Sequence, residues 1–216
     1  MDIRFDHLVI AARDLAEGTA WVEARLGVPM SAGGRHEAMG THNRLLSLGQ
    51  GRYLEVIAID PAAAAPERAR WFGLDSTDMR LRLAQGPVLA TWVVRSEDIV
   101  ATVAGLAFGK PEILDMTRGG YRWRIGVPST GVLARAGTSP TAIQWLTDHP
   151  TLALPDSGCR LEKLLLTHPD APAMLGVLRS AGLDPAEPIE ARRDGPEGLV
   201  AQIRTPRGIA EIMSGK

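Results

Sequence analysis

Two residues with ligand and proton-transfer chemistry stand in short strand-like runs far apart in the chain. His7 lies in Phe5-Asp6-His7-Leu8-Val9-Ile10-Ala11, and Glu55 in Tyr53-Leu54-Glu55-Val56-Ile57. Alternate residues of a strand share a face. If these runs are sheet neighbours, an imidazole and a carboxylate sit side by side on rigid backbone. Such a pair is half of a His/carboxylate metal site. It is equally a general-base pair in which Glu55 orients His7, or a plain hydrogen-bonded pair that fixes strand register.

A second polar concentration runs from Gly33 to Arg44. His36, His42, Asn43 and Arg44 fall in it between glycines, and such groups in a cleft orient an oxygen-rich ligand. On a solvated face they would do nothing in particular. A third stretch alternates Arg122, Trp123 and Arg124 after Arg118-Gly119-Gly120. Alternation there would present guanidinium groups to a carboxylate while Trp123 packs; the other reading is a surface strand with solvated arginines and one core tryptophan.

Three repeated units must position these groups. The first runs from the strand at Phe5 through Asp14, an expected helix cap, a helix over Leu15–Leu26 and Gly27, to three further strand-like segments. Asp98 and Asp170 stand 84 and 156 residues beyond Asp14, each between a strand-like run and a short helical one. The second helix, Ile99–Leu106, would close at Gly105 or Gly109, and the third, Ala171–Ala181, at Gly182. Each unit reads β-α-β-β-β, and the outer two keep a closing glutamate in register, Glu55 and Glu211. The expected organisation is a first βαβββ module over 1–60, a helical connector over 61–86, a second module over 87–148 and a third over 159–216.

Composition narrows the function. With 24 Lys and Arg against 25 Asp and Glu, net charge is −1, which argues against nucleic acid as the main partner. No apolar run is long enough to span a membrane. The acidic start, Met1-Asp2-Ile3-Arg4, does not read as a signal peptide. One cysteine, Cys159, allows neither an internal disulfide nor a multi-cysteine zinc site and reads as a small core residue. These features lead us to expect a cytoplasmic protein. Glycine-rich phosphate loops, H-E-x-x-H and G-x-S-x-G are all missing, so no nucleotide cofactor is expected.

The three units, the opening Phe5-Asp6-His7-Leu8-Val9-Ile10, the closing Tyr53-Leu54-Glu55, and the runs Gly40-Thr41-His42-Asn43, Ala142-Ile143-Gln144-Trp145 and Gly158-Cys159-Arg160-Leu161 together resemble the vicinal oxygen chelate superfamily, and within it the glyoxalase-like domain group. The resemblance covers nearly the whole chain. It implies an α+β fold of about three βαβββ modules forming half-open mixed β-sheet cups with helices packed outside.

It also implies metal ligands on the first and last strands of two paired units. Carried over, these are His7, Glu55 and Gln144, while Thr91 takes the place of the remaining ligand. The implied cofactor is a divalent metal such as Zn, Fe, Mn or Ni. The implied function is a glyoxalase- or dioxygenase-like enzyme acting on an oxygen-rich or acidic small molecule. Glu55 or His42 would be the base; His36, Asn43, Arg44, Arg122, Trp123 and Arg124 would contact substrate. A metal-free protein that sequesters a small molecule in the same cup is the alternative, favoured by Thr91. Three units cannot all pair two by two, so a homodimer through the third is expected.

Overall fold

A computed structural model describes residues 2–106 and 111–215; Gly109, one of the two expected helix caps, lies outside them. The chain forms β1 (Ile3–Ala11), α1 (Leu15–Leu26), β2 (Ser31–His36), β3 (Thr41–Ser47), β4 (Tyr53–Ile59), α2 (Thr77–Leu83), β5 (Val88–Ser96), α3 (Ile99–Leu106), β6 (Glu112–Arg118), β7 (Tyr121–Val127), β8 (Thr141–Trp145), β9 (Arg160–Thr167), α4 (Ala171–Ser180), β10 (Ile189–Arg192), β11 (Gly198–Thr205) and β12 (Gly208–Met213).

Eight strands build one mixed sheet in the order β2-β3-β4-β1-β5-β8-β7-β6. Its two halves mirror each other in strand order. In each, the opening strand runs parallel to the closing one, β1 with β4 and β5 with β8, and β1 meets β5 antiparallel at the centre. This is the α+β cup that the family resemblance implies.

The two faces of the sheet carry two apolar clusters. Leu8, Ile10, Leu54, Val56 and Trp92 face the helices, packing with Val22 and Leu26 of α1 and Ile99 of α3. Val9, Ala11, Ile57, Val93, Trp123, Ile125 and Ile143 face the hollow with Trp71 and Phe72. Each such side chain, fully buried, contributes about 1.5–3 kcal/mol, and a register slip of one residue in β1 would turn His7 into the apolar cluster under the helices.

The caps follow the sequence in two helices of three. Asp14 is extended and its Oδ1 accepts from the Glu17 amide at 2.8 Å, while Gly27 ends α1 in the left-handed region at φ 71°. Asp98 Oδ1 accepts likewise from the Ala101 amide at 3.0 Å. Asp170 makes no side-chain cap: its backbone is already helical (φ −91°, ψ −6°), and a capping side chain reaches back only from extended backbone. Its Oδ2 instead accepts from Arg135 Nε at 3.3 Å.

The last four strands form a separate sheet in the order β10-β9-β11-β12. Here β9 lies between β10 and β11, so this unit keeps the βαβββ element order without the strand order of the other two. Glu211 pairs with Gln202 across β11–β12 and is exposed, whereas Glu55 is buried. Between the halves of the cup, residues 60–87 contain one helical turn at Trp71–Gly73 and the short α2; the rest is turns and irregular chain. Among the described residues no helix is long and apolar enough to cross a membrane.

Candidate functional site

The floor of the hollow is built from β1, β4 and β3. His7 faces it from β1 and Glu55 from β4, placed by their strand alternation. The two strands are direct neighbours, with His7 opposite Tyr53 and Val9 opposite Glu55. His7 Nε2 and Glu55 Oε2 are 3.6 Å apart, an ion-pair distance and not a hydrogen bond. Asn43 on β3 donates from Nδ2 to Glu55 Oε1 at 2.5 Å. Tyr53 stacks on the His7 ring with centroids 4.3 Å apart.

Behind His7 stands Asp6. Strict alternation would send it to the other face, but the β1–β5 register shifts between Phe5 and His7 and leaves Asp6 unpaired in the shift. Its carboxylate is wholly buried. Oδ1 lies 2.6 Å from His7 Nδ1, and Oδ2 lies 3.0 Å from His149 Nε2. Trp145 donates from Nε1 to Oδ2 at 3.1 Å, and Arg95 Nη1 approaches Oδ2 to 3.6 Å. Burial pushes the Asp6 carboxyl up, but hydrogen bonds from His149 and His7 and the charges of the two rings outweigh it and hold the group well below the usual carboxylate range.

This network fixes the histidine tautomers. Asp6 only accepts, so His7 carries a proton on Nδ1, and Nε2 is the nitrogen turned to the hollow. The Thr151 amide donates to His149 Nδ1 at 3.3 Å, so His149 gives its Nε2 proton to Asp6.

His36 closes the floor from the end of β2, next to Thr41 Oγ1 at 3.1 Å. Its Nε2 faces Arg118 Nη1 and Asn43 Nδ2, each at 3.4 Å. Burial first, then the charges of Arg118, His42 and His7, push the His36 imidazolium well below its ordinary range, so the ring is neutral. Burial and the nearby Asp6 and Glu55 carboxylates push the Tyr53 phenol well above its ordinary range. The facing wall is Trp71, Phe72, Trp123, Ile125, Ile143 and Trp145, and the cavity left inside is about 20 Å³, room for about one water.

Of the residues singled out from sequence, His7, Glu55, His36, Asn43 and Trp123 meet here. His42 and Arg44 do not: they alternate with Thr41, Asn43 and Leu45 along β3 and take the opposite face. His42 Nε2 is buried there without a partner among the described residues. Arg122 and Arg124 alternate with Trp123 and point away; Arg122 is exposed and Arg124 lies 3.5 Å from Asp115. Gln144 sits between Ile143 and Trp145, faces away from the hollow, and donates to the Glu97 carbonyl.

Sequence reading missed Asp6, Tyr53, Arg118 and His149. Asp6 was adjacent to His7 all along, but only a bulge brings neighbours to one face. Tyr53 shares its face with Glu55 by simple alternation and could have been found. His149 arrives from the link before Pro150, which carries no periodic signal.

The donor set does not fit a divalent metal. Among the described residues only His7 Nε2 and Glu55 Oε2 point together into the hollow; His36 Nε2 faces a guanidinium. The other half of the cup offers Ile143 and Trp145, and the Thr91 hydroxyl donates to the Gly137 carbonyl at 3.0 Å. No group of three or more His, Cys, Asp or Glu side chains is placed to hold a metal among the described residues, and two ligands beside a cation make no closed or catalytic site of known type.

A family model described as a glyoxalase-like domain matches residues 5–182. Among solved structures, a hypothetical protein from Staphylococcus aureus is similar with a TM-score of 0.56 at 13% identity, covering 99% of this chain and 85% of that one. Methylmalonyl-CoA epimerase from Mycobacterium tuberculosis is similar with a TM-score of 0.42 at 19% identity, covering 69% of this chain and 90% of that one. No curated protein matches the sequence.

Proposed function

This chain belongs to the glyoxalase-like domain family of the vicinal oxygen chelate superfamily, and from that premise we propose that it is a small-molecule enzyme that moves a proton on an oxygen-rich, acidic substrate in the cup. The observation that carries this reading is the buried Asp6–His7 pair with His7 Nε2 turned into the hollow beside Glu55. A base so placed takes a proton from a carbon or oxygen acid of the substrate. Asp6 stabilises the imidazolium that forms, and the proton returns to the substrate at another position, so the reaction class is isomerisation. Arg118 supplies the cation for an acidic substrate group. General-base help of this kind contributes on the order of 10²–10⁴-fold in rate.

The family's metal chemistry is Lewis-acid stabilisation of vicinal oxygens. The donor set supports no step through it here, and proton transfer by His7 stands in its place. The direct test is proton exchange followed by NMR in D₂O, with the protein presented with small α-hydroxy acids, α-keto acids and dicarbonyls. Wild-type protein should wash deuterium into at least one compound, and His7→Gln should not. A compound that binds the cup without any exchange above buffer would turn the reading to its alternative, a binding protein. The apolar wall of Ile143, Trp145 and Trp123, where the second half of the cup would carry ligands, favours that alternative.

The homodimer remains our proposal for the third unit. Its edge strand β12 exposes Ile209 and Met213, and an uncovered edge pairs readily with a copy of itself. Light scattering at micromolar concentration should give the dimer mass, and Ile209→Lys should return the monomer.

A further inference from the structure

The polar hollow is too small for a whole substrate. At about 20 Å³ it admits one oxygen of a carboxyl or carbonyl group and little else, so the rest of any ligand that reaches His7 must lie elsewhere. One adjoining space offers room: a cleft of about 260 Å³ on the other side of Trp71 and Phe72, near the ~300 Å³ at which small-molecule pockets begin.

The two spaces are consecutive along the same strands. On β7, Ile125 lines the hollow, and Val127, next on that face, lines the cleft. On β8, Ile143 lines the hollow and Thr141 the cleft, which wraps past Gly126 and Ala142 onto the helix side, where Val103 and Leu106 of α3 line it. The cleft wall is mostly apolar: Val103, Leu106, Pro111, Val127, Leu133 and Pro140. Trp71 and Phe72 border both spaces and divide them.

The divider itself carries two marks of a ligand site. The Trp71 indole N–H is buried and has no acceptor among the described residues, although buried indoles almost always find one. Phe72 holds a left-handed backbone at φ 56°, a conformation that non-glycine residues keep only where surrounding structure enforces it. The Gly73 amide, donating to the Gly131 carbonyl at 2.8 Å, anchors the turn on one side; the Arg70 amide, donating to Asp75 Oδ2 at 2.7 Å, anchors it on the other.

Resting on the function proposed above, we infer that the ligand is an amphipathic carboxylic acid. Its head sits with His7, Glu55 and Arg118, its chain lies in the cleft past Phe72, and a head-group oxygen accepts from Trp71.

The test uses two bare acids, propionate as a head alone and octanoate as a head with a chain, titrated calorimetrically into the full-length protein. Each methylene moved from water into the cleft is worth about fourfold in affinity. Octanoate should therefore bind at least tenfold tighter than propionate. Arg118→Ala should weaken both acids. Val103→Trp, which fills the cleft from α3, should erase the chain-length gain and leave propionate unchanged. Should Val103→Trp not fold, Val132→Asp sets a charge at an exposed lining position and should have the same effect. Equal affinity for the two acids, no binding of octanoate, or a gain that survives filling the cleft would each overturn the inference. None of these readouts involves proton transfer, so a failed exchange assay with this binding pattern intact sinks the enzymatic reading alone.

Discussion

Asp6 and His7 are neighbours in the chain, yet their side chains meet on one face, with Oδ1 and Nδ1 2.6 Å apart. A regular strand forbids this, and the register shift in β1 allows it. The consequence is that a wholly buried carboxylate serves two imidazoles at once, one in the hollow and one on the link after β8.

Replacing Asp6 by Asn should therefore change the chemistry of His7 more than its position. An asparagine amide turned toward His7 Nδ1 donates where the carboxylate accepted, and the ring then moves its proton to Nε2. Nitrogen-detected NMR of the histidines should show His7 as the Nδ1–H tautomer in wild type and as Nε2–H in Asp6→Asn. Proton exchange on a substrate should drop on the order of 10²-fold or more. A His7 tautomer unchanged by the substitution would refute the assignment.

The same carboxyl gives a signed pH dependence. Its folded-state value is depressed, so its stabilising contribution is present above the unfolded value of about 3.9 and is lost as pH falls below that toward the folded value. Urea midpoints should fall steeply below about pH 4 in wild type. The fall should be shallower in Asp6→Asn, which starts from a lower plateau at neutral pH. Parallel curves for the two proteins would contradict the linkage.

His36 titrates in a different window. It is buried and its folded value is also depressed, but for a base this means the unfolded chain takes up the proton first. Its contribution is present above about pH 6.5 and lost progressively as pH falls below it. His36→Asn should flatten the stability profile between about pH 6.5 and 5 relative to wild type, as read by thermal melts at fixed ionic strength. A profile equally steep in the variant would assign that slope to another group.

Much of the cup was legible in the sequence because alternation does most of the positioning. Val9, Ala11, Ile57 and the site residues His7 and Glu55 all follow from period two once β1 and β4 are neighbours. The same rule, applied to β3, β7 and β8, disposes of His42, Arg44, Arg122, Arg124 and Gln144: each sits one residue away from a side chain that does face the hollow. Choosing between the two faces needed the apolar partners on both, and these strands are buried on both. What no period could reveal is Asp6, which depends on a bulge, and His149, which depends on the path of a loop. The third unit misled in another way, since element order is written in the sequence and strand order is not.

Metal content separates the site from its family's usual chemistry. Protein purified without chelators should carry far less than one equivalent of Zn, Fe, Mn or Ni by elemental analysis, and His7→Ala should match it. One equivalent in wild type, lost in His7→Ala, would mean that the hollow rearranges to recruit ligands that now face elsewhere.

Of the two imidazoles that Asp6 joins, His149 is the more exposed, with 17% of its side chain open to solvent against 4% for His7. It touches nothing in the hollow by way of its own polar atoms; it acts through Asp6. A positioning role predicts a particular pattern. His149→Ala removes one donor from a buried carboxylate, which then leans on His7 and Trp145 alone with Arg95 at longer range. His7 becomes the better base, and the pH at which proton exchange reaches half its maximum should shift upward. His149→Gln, whose amide can reach Asp6 as a neutral donor, should restore the profile. A residue that merely props the loop before Pro150 would, when replaced by Ala, lower stability and exchange at every pH without moving the midpoint. The midpoint of the pH profile therefore separates the two roles.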